Sequence, residues 1–178
     1  DVAIMLERAY NVVGPSANME WISYKHELRP DQPGGCLQIK GIKCADLINS
    51  EASAKSGTSD PFVKFSIGDT VPSIETKYLD NTENPEFPEE LAMDWDGETP
   101  LTIDVLDHDR GRVHDPLGTF VLDLVAMKDQ LVETCDSGAF IPVTDKALEN
   151  VEKGTISLQI SMHAKVLESQ FHSVLLNV

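Results

Sequence analysis

Strict alternation of apolar and polar positions is the clearest structural signal along the chain. Over residues 154–163 one set of positions is apolar and the set between them is polar: Ile156, Leu158, Ile160 and Met162 against Thr155, Ser157, Gln159 and Ser161. Leu101, Ile103 and Val105 repeat the pattern. A period of two is typical of a β-strand with one buried face, so both segments are predicted to be strands.

Short apolar segments bounded by turn residues predict a β-domain from Gly35 onward. The predicted strands cover residues 36–44, 61–67, 73–79, 90–95, 101–106, 117–124, 139–143 and 154–163. No long helix separates them, and parallel pairing would need such crossovers. The sequence therefore predicts an all-β fold, an eight-stranded antiparallel β-sandwich. Between Leu124 and Val132 it predicts one or two helical turns.

Two flanking segments differ from this pattern. Residues 2–13 have apolar residues at helical spacing and end at Gly14-Pro15, which predicts a short N-terminal helix. The tail carries a further apolar set, Val166, Leu167, Phe171, Val174 and Leu175. The predicted division is an N-terminal extension (1–34), a β-domain (35–164) and an apolar C-terminal tail (165–178). Because the chain starts at Asp1 rather than Met, we expect a processed form or a fragment of a longer protein.

Charge and cysteine content exclude several functions. The net charge is −16, from 30 acidic residues against 14 Lys and Arg. Nucleic-acid binding needs a basic surface, so no nucleic-acid partner is expected. The three cysteines, Cys36, Cys44 and Cys135, lack zinc or redox spacing, and we interpret them as reduced thiols in an intracellular protein. No catalytic motif is present, so the chain is not expected to be an enzyme.

Two acidic clusters suggest a cation site. Asp60 lies in GTSDPF, immediately before a predicted strand, while Asp107, Asp109 and Asp115 lie in VLDHDRGRVHDPLG between two strands. Carboxylates this close repel one another unless a cation is present, and hard oxygen ligands suit Ca²⁺. The alternative is that aspartates begin and end turns by bonding to their own backbone. That alternative explains Asp60 alone better than it explains three aspartates in nine residues.

Several motifs follow one another over most of the β-domain, namely GCLQIKGIKCADL, SGTSDPFVKF, TENPEF, LTIDVLDHD and DPLG. Their order resembles that of the C2 domain, a calcium- and phospholipid-binding β-sandwich. Residues 59–64, SDPFVK, are similar to the family's S-D-P-Y-V-K. The opening GCLQIKGI and closing GTISLQISM resemble the permuted strand order of the extended synaptotagmins and phospholipase C.

The resemblance implies a calcium site of five acids on two loops. Four positions match the family: Asp60, Asp107, Asp109 and Asp115. Counting back from GTSDP puts Ala54 at the fifth position, whereas counting forward from A-D-L puts Glu51 there. Glu51 is therefore either the fifth ligand or a solvated loop residue. The resemblance also implies that the tip of the third loop, Arg110, Arg112 and Val113, contacts the membrane.

Two functions follow from these implications. The first is a calcium-dependent module that binds anionic phospholipid, part of a larger protein and peripheral to an intracellular membrane. The second is a calcium-independent C2 domain that acts as a scaffold subunit, with protein partners bound by the N-terminal helix and the tail. The family's lysine-rich face is largely absent, since Lys77 lies among Glu75, Asp80 and Glu89. This departure and the Ala54 position support the second function as the alternative, while the calcium-dependent module is the function predicted.

Overall fold

Two packed antiparallel sheets form the domain. The computed structural model describes residues 35–49, 58–69, 71–109 and 113–163. Within those ranges the strands are β1 (Gly35–Ala45), β2 (Pro61–Ser66), β3 (Ile74–Glu75), β4 (Glu86–Phe87), β5 (Leu91–Trp95), β6 (Leu101–Asp107), β7 (Asp115–Leu122), β8 (Ile141–Ala147) and β9 (Thr155–His163). One helix, α1 (Lys128–Ser137), lies between β7 and β8. The predicted N-terminal helix and apolar tail lie outside these residues.

The strand order confirms the predicted sandwich and its permuted arrangement. Sheet A has the order β4-β1-β9-β8, with β5 also paired to β1, and sheet B has the order β3-β2-β6-β7. The first and last strands are neighbours, paired from Cys36 opposite His163 to Ala45 opposite Thr155, with one register shift between Lys40 and Lys43. All pairings between these described strands are antiparallel.

One predicted strand, 73–79, is much shorter in the structure, where only Ile74–Glu75 form β3. The reason is local. The Val63 N–H of β2 donates to Thr76 Oγ1 at 3.0 Å, while the Thr76 N–H donates to the Val63 carbonyl at 2.9 Å. A side-chain oxygen thus replaces a backbone acceptor at Thr76, and the regular ladder ends there. The short strand Glu86–Phe87 was not predicted.

The core lies between the two sheets and follows the predicted alternation, with Ile156, Leu158, Ile160 and Met162 all buried. Ser161 departs from the pattern, because it belongs to the polar face yet is also buried. Helix α1 packs against this end of β9 and covers it. The helix begins a few residues later than predicted, and Gly138 ends it in the left-handed region at φ 64°.

Thr134 joins helix α1 to β9, and replacing it by valine should destabilise the domain. Its buried Oγ1 accepts a hydrogen bond from the Met162 N–H at 2.8 Å and donates to the Leu131 carbonyl at 2.6 Å. Valine has the same shape but leaves the Met162 N–H without this acceptor, a loss of about 1–3 kcal/mol in the free energy of unfolding. Equilibrium unfolding in urea measures this loss of free energy. Thr134→Ser, which keeps the hydroxyl, is the control, and a valine variant as stable as wild type contradicts the prediction.

The cysteines agree with the prediction of reduced thiols, since none of the three forms a disulfide. Cys44 is buried, and burial raises the pKa of its thiol to about 12. Cys36 and Cys135 are half-buried. In the part of the chain that the structure describes, no helix is both long and apolar enough to cross a membrane.

Candidate metal site at the ends of β2, β6 and β7

The register of sheet B brings the four predicted acids to one end of the domain. Asp107, the last residue of β6, lies opposite Pro61 of β2 on one side and opposite Asp115 of β7 on the other. Asp60 directly precedes Pro61, and Asp109 follows two residues after Asp107. The four acids share this end of the sheet because each of them lies at or next to the end of one of three adjacent strands.

Main-chain donors fix two of these carboxylates. Asp107 is only 5% exposed, and its Oδ1 accepts a hydrogen bond from the Asp60 N–H at 2.6 Å. Asp60 Oδ1 accepts in turn from the Asn81 N–H at 2.7 Å. Asn81 has a left-handed backbone, φ 51°, a conformation that asparagine tolerates better than most residues. The turn at Asn81 thus positions the Asp60 carboxylate beside the end of β6.

The other predicted site residues are either more exposed than Asp107 or outside the described ranges. Asp109 is half-buried and Asp115 is exposed. Among the residues with described positions, no three His, Cys, Asp or Glu side chains come close enough together to hold a metal ion. Glu51, Arg110 and Arg112 lie outside those residues. Carboxylate oxygens are the ligands that Ca²⁺ prefers, so the described acids fit the ion in kind without forming a complete ligand set.

A stack of four rings beside the acids was not predicted. Tyr78 lies face to face on His108, with ring centroids 4.0 Å apart and planes 8° apart. His108 stacks on His114 at 5.3 Å, and the buried Phe62 meets His114 edge-on at 4.9 Å. The sequence signal was the position of the two histidines, one at each end of the acidic loop. Nothing in the sequence connected them to Phe62 or Tyr78.

The lysines in the described part of sheet B form no basic face. Lys64 of β2 lies opposite Glu75 of β3 and opposite Asp104 of β6. Lys77 is exposed, and its N–H donates to Glu89 Oε1 at 3.1 Å. Each of these lysines thus has an acidic residue next to it, opposite Lys64 in the sheet and bonded to the Lys77 backbone, so the two lysines do not form a basic patch.

A shallow groove in the described part of the domain lies away from the acids. It measures about 310 Å³ and is largely apolar, with Cys36, Val71, Ile74 and Met93 in its wall. Cys36 stands near the start of β1, whereas the chain reaches the acidic end only after β1 ends at Ala45. None of the predicted site residues that the structure describes lines this groove.

Comparison with known proteins gives one consistent family. The model of the C2 domain matches residues 35–136. Protein C2-DOMAIN ABA-RELATED 8 of Arabidopsis thaliana is 32% identical over 91 residues, which cover 51% of this chain and 52% of that protein. Synaptotagmin-10 of Homo sapiens is 35% identical over 101 residues, which cover 54% of this chain and 19% of that protein. The chain thus spans about half the length of the first relative and less of the second.

Solved structures share the fold. A calcium-bound structure of two C2 domains of extended synaptotagmin 2, its domains A and B, has a TM-score of 0.59 at 21% identity, covering 73% of this chain and 46% of that one. The corresponding domain A of plant extended synaptotagmin 1 also has a TM-score of 0.59, at 20% identity, covering 76% of this chain and 98% of that one.

Proposed function

Because this chain belongs to the C2 domain family, we propose that its acidic end binds phospholipid membrane surfaces and that calcium controls the binding. The observation that carries the proposal is the strand register, which aligns Asp107 with Asp115 and with the residue that follows Asp60. Three strands thereby place carboxylates at one end of the sandwich. A Ca²⁺ site needs several oxygen ligands, and carboxylates are among those that the ion prefers.

The mechanism is electrostatic. A chain with net charge −16 that places four acids at one end of the sandwich repels an anionic bilayer there. Asp60, Asp107, Asp109 and Asp115 would hold the ion, with Glu51 as the fifth ligand. Bound calcium supplies positive charge, which changes repulsion at this end into attraction. Since the described part of sheet B offers no basic face as a second route to the lipid, binding should depend strongly on calcium.

The exposure of Val113 supports a membrane contact at this end of the sandwich. It belongs to the predicted loop tip and is 90% exposed, so its apolar side chain is accessible to a membrane surface. Arg110 and Arg112, which precede it, would approach lipid phosphates as cations. We further propose that the protein acts inside the cell, peripheral to a membrane, without enzymatic activity and as part of a longer chain.

A second candidate is a calcium-independent scaffold domain. Its specific support is that no three ligating side chains come together among the residues that the structure describes. In this case residues 1–34 and 165–178 would bind protein partners, and the sandwich would serve through its surfaces.

Vesicle sedimentation tests the proposal. Vesicles of phosphatidylcholine, with and without phosphatidylserine, are mixed with the protein in calcium, in magnesium and in chelator. We expect binding only to phosphatidylserine vesicles in calcium, and weaker binding at higher salt because the attraction is electrostatic. Val113→Ser should reduce the bound fraction, whereas Val121→Ser, at a valine that is 46% exposed on β7, should not.

The outcomes separate the candidates. Equal binding in calcium and chelator contradicts calcium control. The absence of binding to every vesicle in calcium contradicts the membrane function and favours the scaffold.

A further inference from the structure

We propose that the ring stack of Phe62, Tyr78, His108 and His114 is a positioning device, which ties the two ends of the acidic loop together before the cation arrives. The inference rests on the proposed function, because the loop it positions is the proposed calcium loop. Its basis is geometric: rings from β2, from the segment after β3 and from both ends of the loop meet beside the acids.

The stack closes the base of the loop. Asp107 and Asp115 pair across β6 and β7, so the loop between them runs from His108 to His114. The rings of these two residues lie 5.3 Å apart with planes 28° apart, one from each end of the loop. A hydrogen bond reinforces the closure, since the Asp109 N–H donates to His114 Nδ1 at 3.1 Å. The two ends of the loop are therefore tied by both stacking and hydrogen bonding.

Two further rings anchor this closure to the sandwich. Phe62 is buried on β2 and meets His114 edge-on, with planes 78° apart. Tyr78 lies on His108 from the outside, and the next residue, Leu79, donates its N–H to the Pro61 carbonyl at 3.0 Å. The stack thus joins the acidic loop to the start of β2, which Asp60 directly precedes.

Preorganisation of the acidic loop by the ring stack should raise its affinity for calcium. A loop that is already ordered loses less conformational entropy when a ligand binds, so its affinity is higher than that of a loop that must be ordered first. Stacked and edge-on aromatic pairs each contribute about 0.5–1.5 kcal/mol, which corresponds to roughly a 2- to 13-fold change in affinity, and a change of about 3- to 10-fold lies within that range. Tyr78 touches no cation in this scheme and acts only through His108 and the loop.

Two matched substitutions test the role of Tyr78. Tyr78→Ala removes the outer ring, while Tyr78→Phe keeps the ring and removes only the hydroxyl. Tyr78 is 37% exposed, so both variants leave the core intact. We expect calorimetric calcium affinity to fall roughly 3- to 10-fold in Tyr78→Ala and to stay within about twofold of wild type in Tyr78→Phe.

A measurement without calcium tests the positioning directly. Amide hydrogen exchange, read by NMR in chelator, reports the Asp109 N–H. We expect protection of this amide in the wild type and in Tyr78→Phe, with exchange about tenfold faster in Tyr78→Ala. His114→Phe, which keeps a ring but removes Nδ1, should also lose the protection.

These readouts distinguish the failure of the two proposals. If the wild type binds no calcium while Asp109 is protected and Tyr78→Ala loses that protection, the proposed function fails and the positioning role stands. If Asp109 exchanges at the same rate in the wild type and in Tyr78→Ala, the positioning role is overturned whatever the calcium affinity. Equal losses in Tyr78→Ala and Tyr78→Phe also overturn it, since the ring would then not be the active feature.

Discussion

Gly118→Ala should cost the domain about 3 kcal/mol or more of its free energy of unfolding, a large part of the roughly 5–15 kcal/mol typical of such domains. Gly118 has φ +130°, a backbone conformation that L side chains rarely adopt. A Cβ at this position would lie 2.7 Å from Leu148 Cβ and 2.9 Å from Val151 Cγ2. Backbone strain and steric overlap therefore act together. Urea unfolding at equilibrium measures the loss.

The position explains why the space is so tight. Gly118 lies opposite Val105, where the β6–β7 register shifts between Val105 and Leu106. The next residue, Thr119, exchanges two backbone hydrogen bonds with Glu149, at 3.2 and 2.7 Å. The segment that follows β8 is thereby held directly against β7.

Gly138→Ala is the control for this prediction. Gly138 also has a positive φ, +64°, but a Cβ there would meet nothing within 4 Å. Its substitution adds only the left-handed strain of a non-glycine residue, about 1–2 kcal/mol. If Gly118→Ala costs no more than Gly138→Ala, the close contact with Leu148 and Val151 contributes nothing.

Much of the fold was predictable because apolar and polar residues alternate along its strands. β6 and β9 each present a clean period of two, and both were predicted within a residue or two of their bounds. The prediction of a strand over residues 73–79 was too long, because the strand pairing ends where the Val63 N–H donates a hydrogen bond to the Thr76 side chain. Such a bond depends on two strands meeting in space, and the sequence of either strand alone does not indicate it.

The candidate site likewise has one part that the sequence predicts and another part that it does not. The position of the four aspartates at one end of the sheet was predictable because each lies at or next to the end of one of three adjacent strands, and their motifs match the family. The ring stack was not, since Phe62 and Tyr78 look like ordinary strand residues in sequence. Only the register that places β2 beside β6 brings Phe62 to the histidines. Ligation by the five acids and the membrane contacts of Arg110, Arg112 and Val113 all stay predictions, and Glu51, Arg110 and Arg112 also lie outside the described ranges.

Asp107→Asn combined with Asp109→Asn should abolish calcium binding. The two substitutions remove two of the anionic ligands, and affinity follows ligand charge. For the wild type we expect calorimetric binding with Kd in the range of about 10⁻⁶ to 10⁻⁴ M, and for the double variant no measurable heat. Asparagine keeps an acceptor oxygen for the Asp60 N–H, so the main-chain support at the end of β6 can persist.

The thermal stability of the double variant provides a second test, because its difference from the wild type should have opposite signs without and with calcium. In chelator it should melt at the wild-type temperature or above, since fewer like charges face one another. In calcium at about 100 times Kd the wild type should gain about 2.7 kcal/mol and the double variant nothing. The control is Asp123→Asn with Asp129→Asn, which changes the same charge beyond the far end of β7. A loss of calcium binding in the control variant as well would mean that overall charge, rather than the site, binds the ion. No calcium heat and no calcium-dependent melting shift in the wild type would leave a C2 fold that acts through its surfaces.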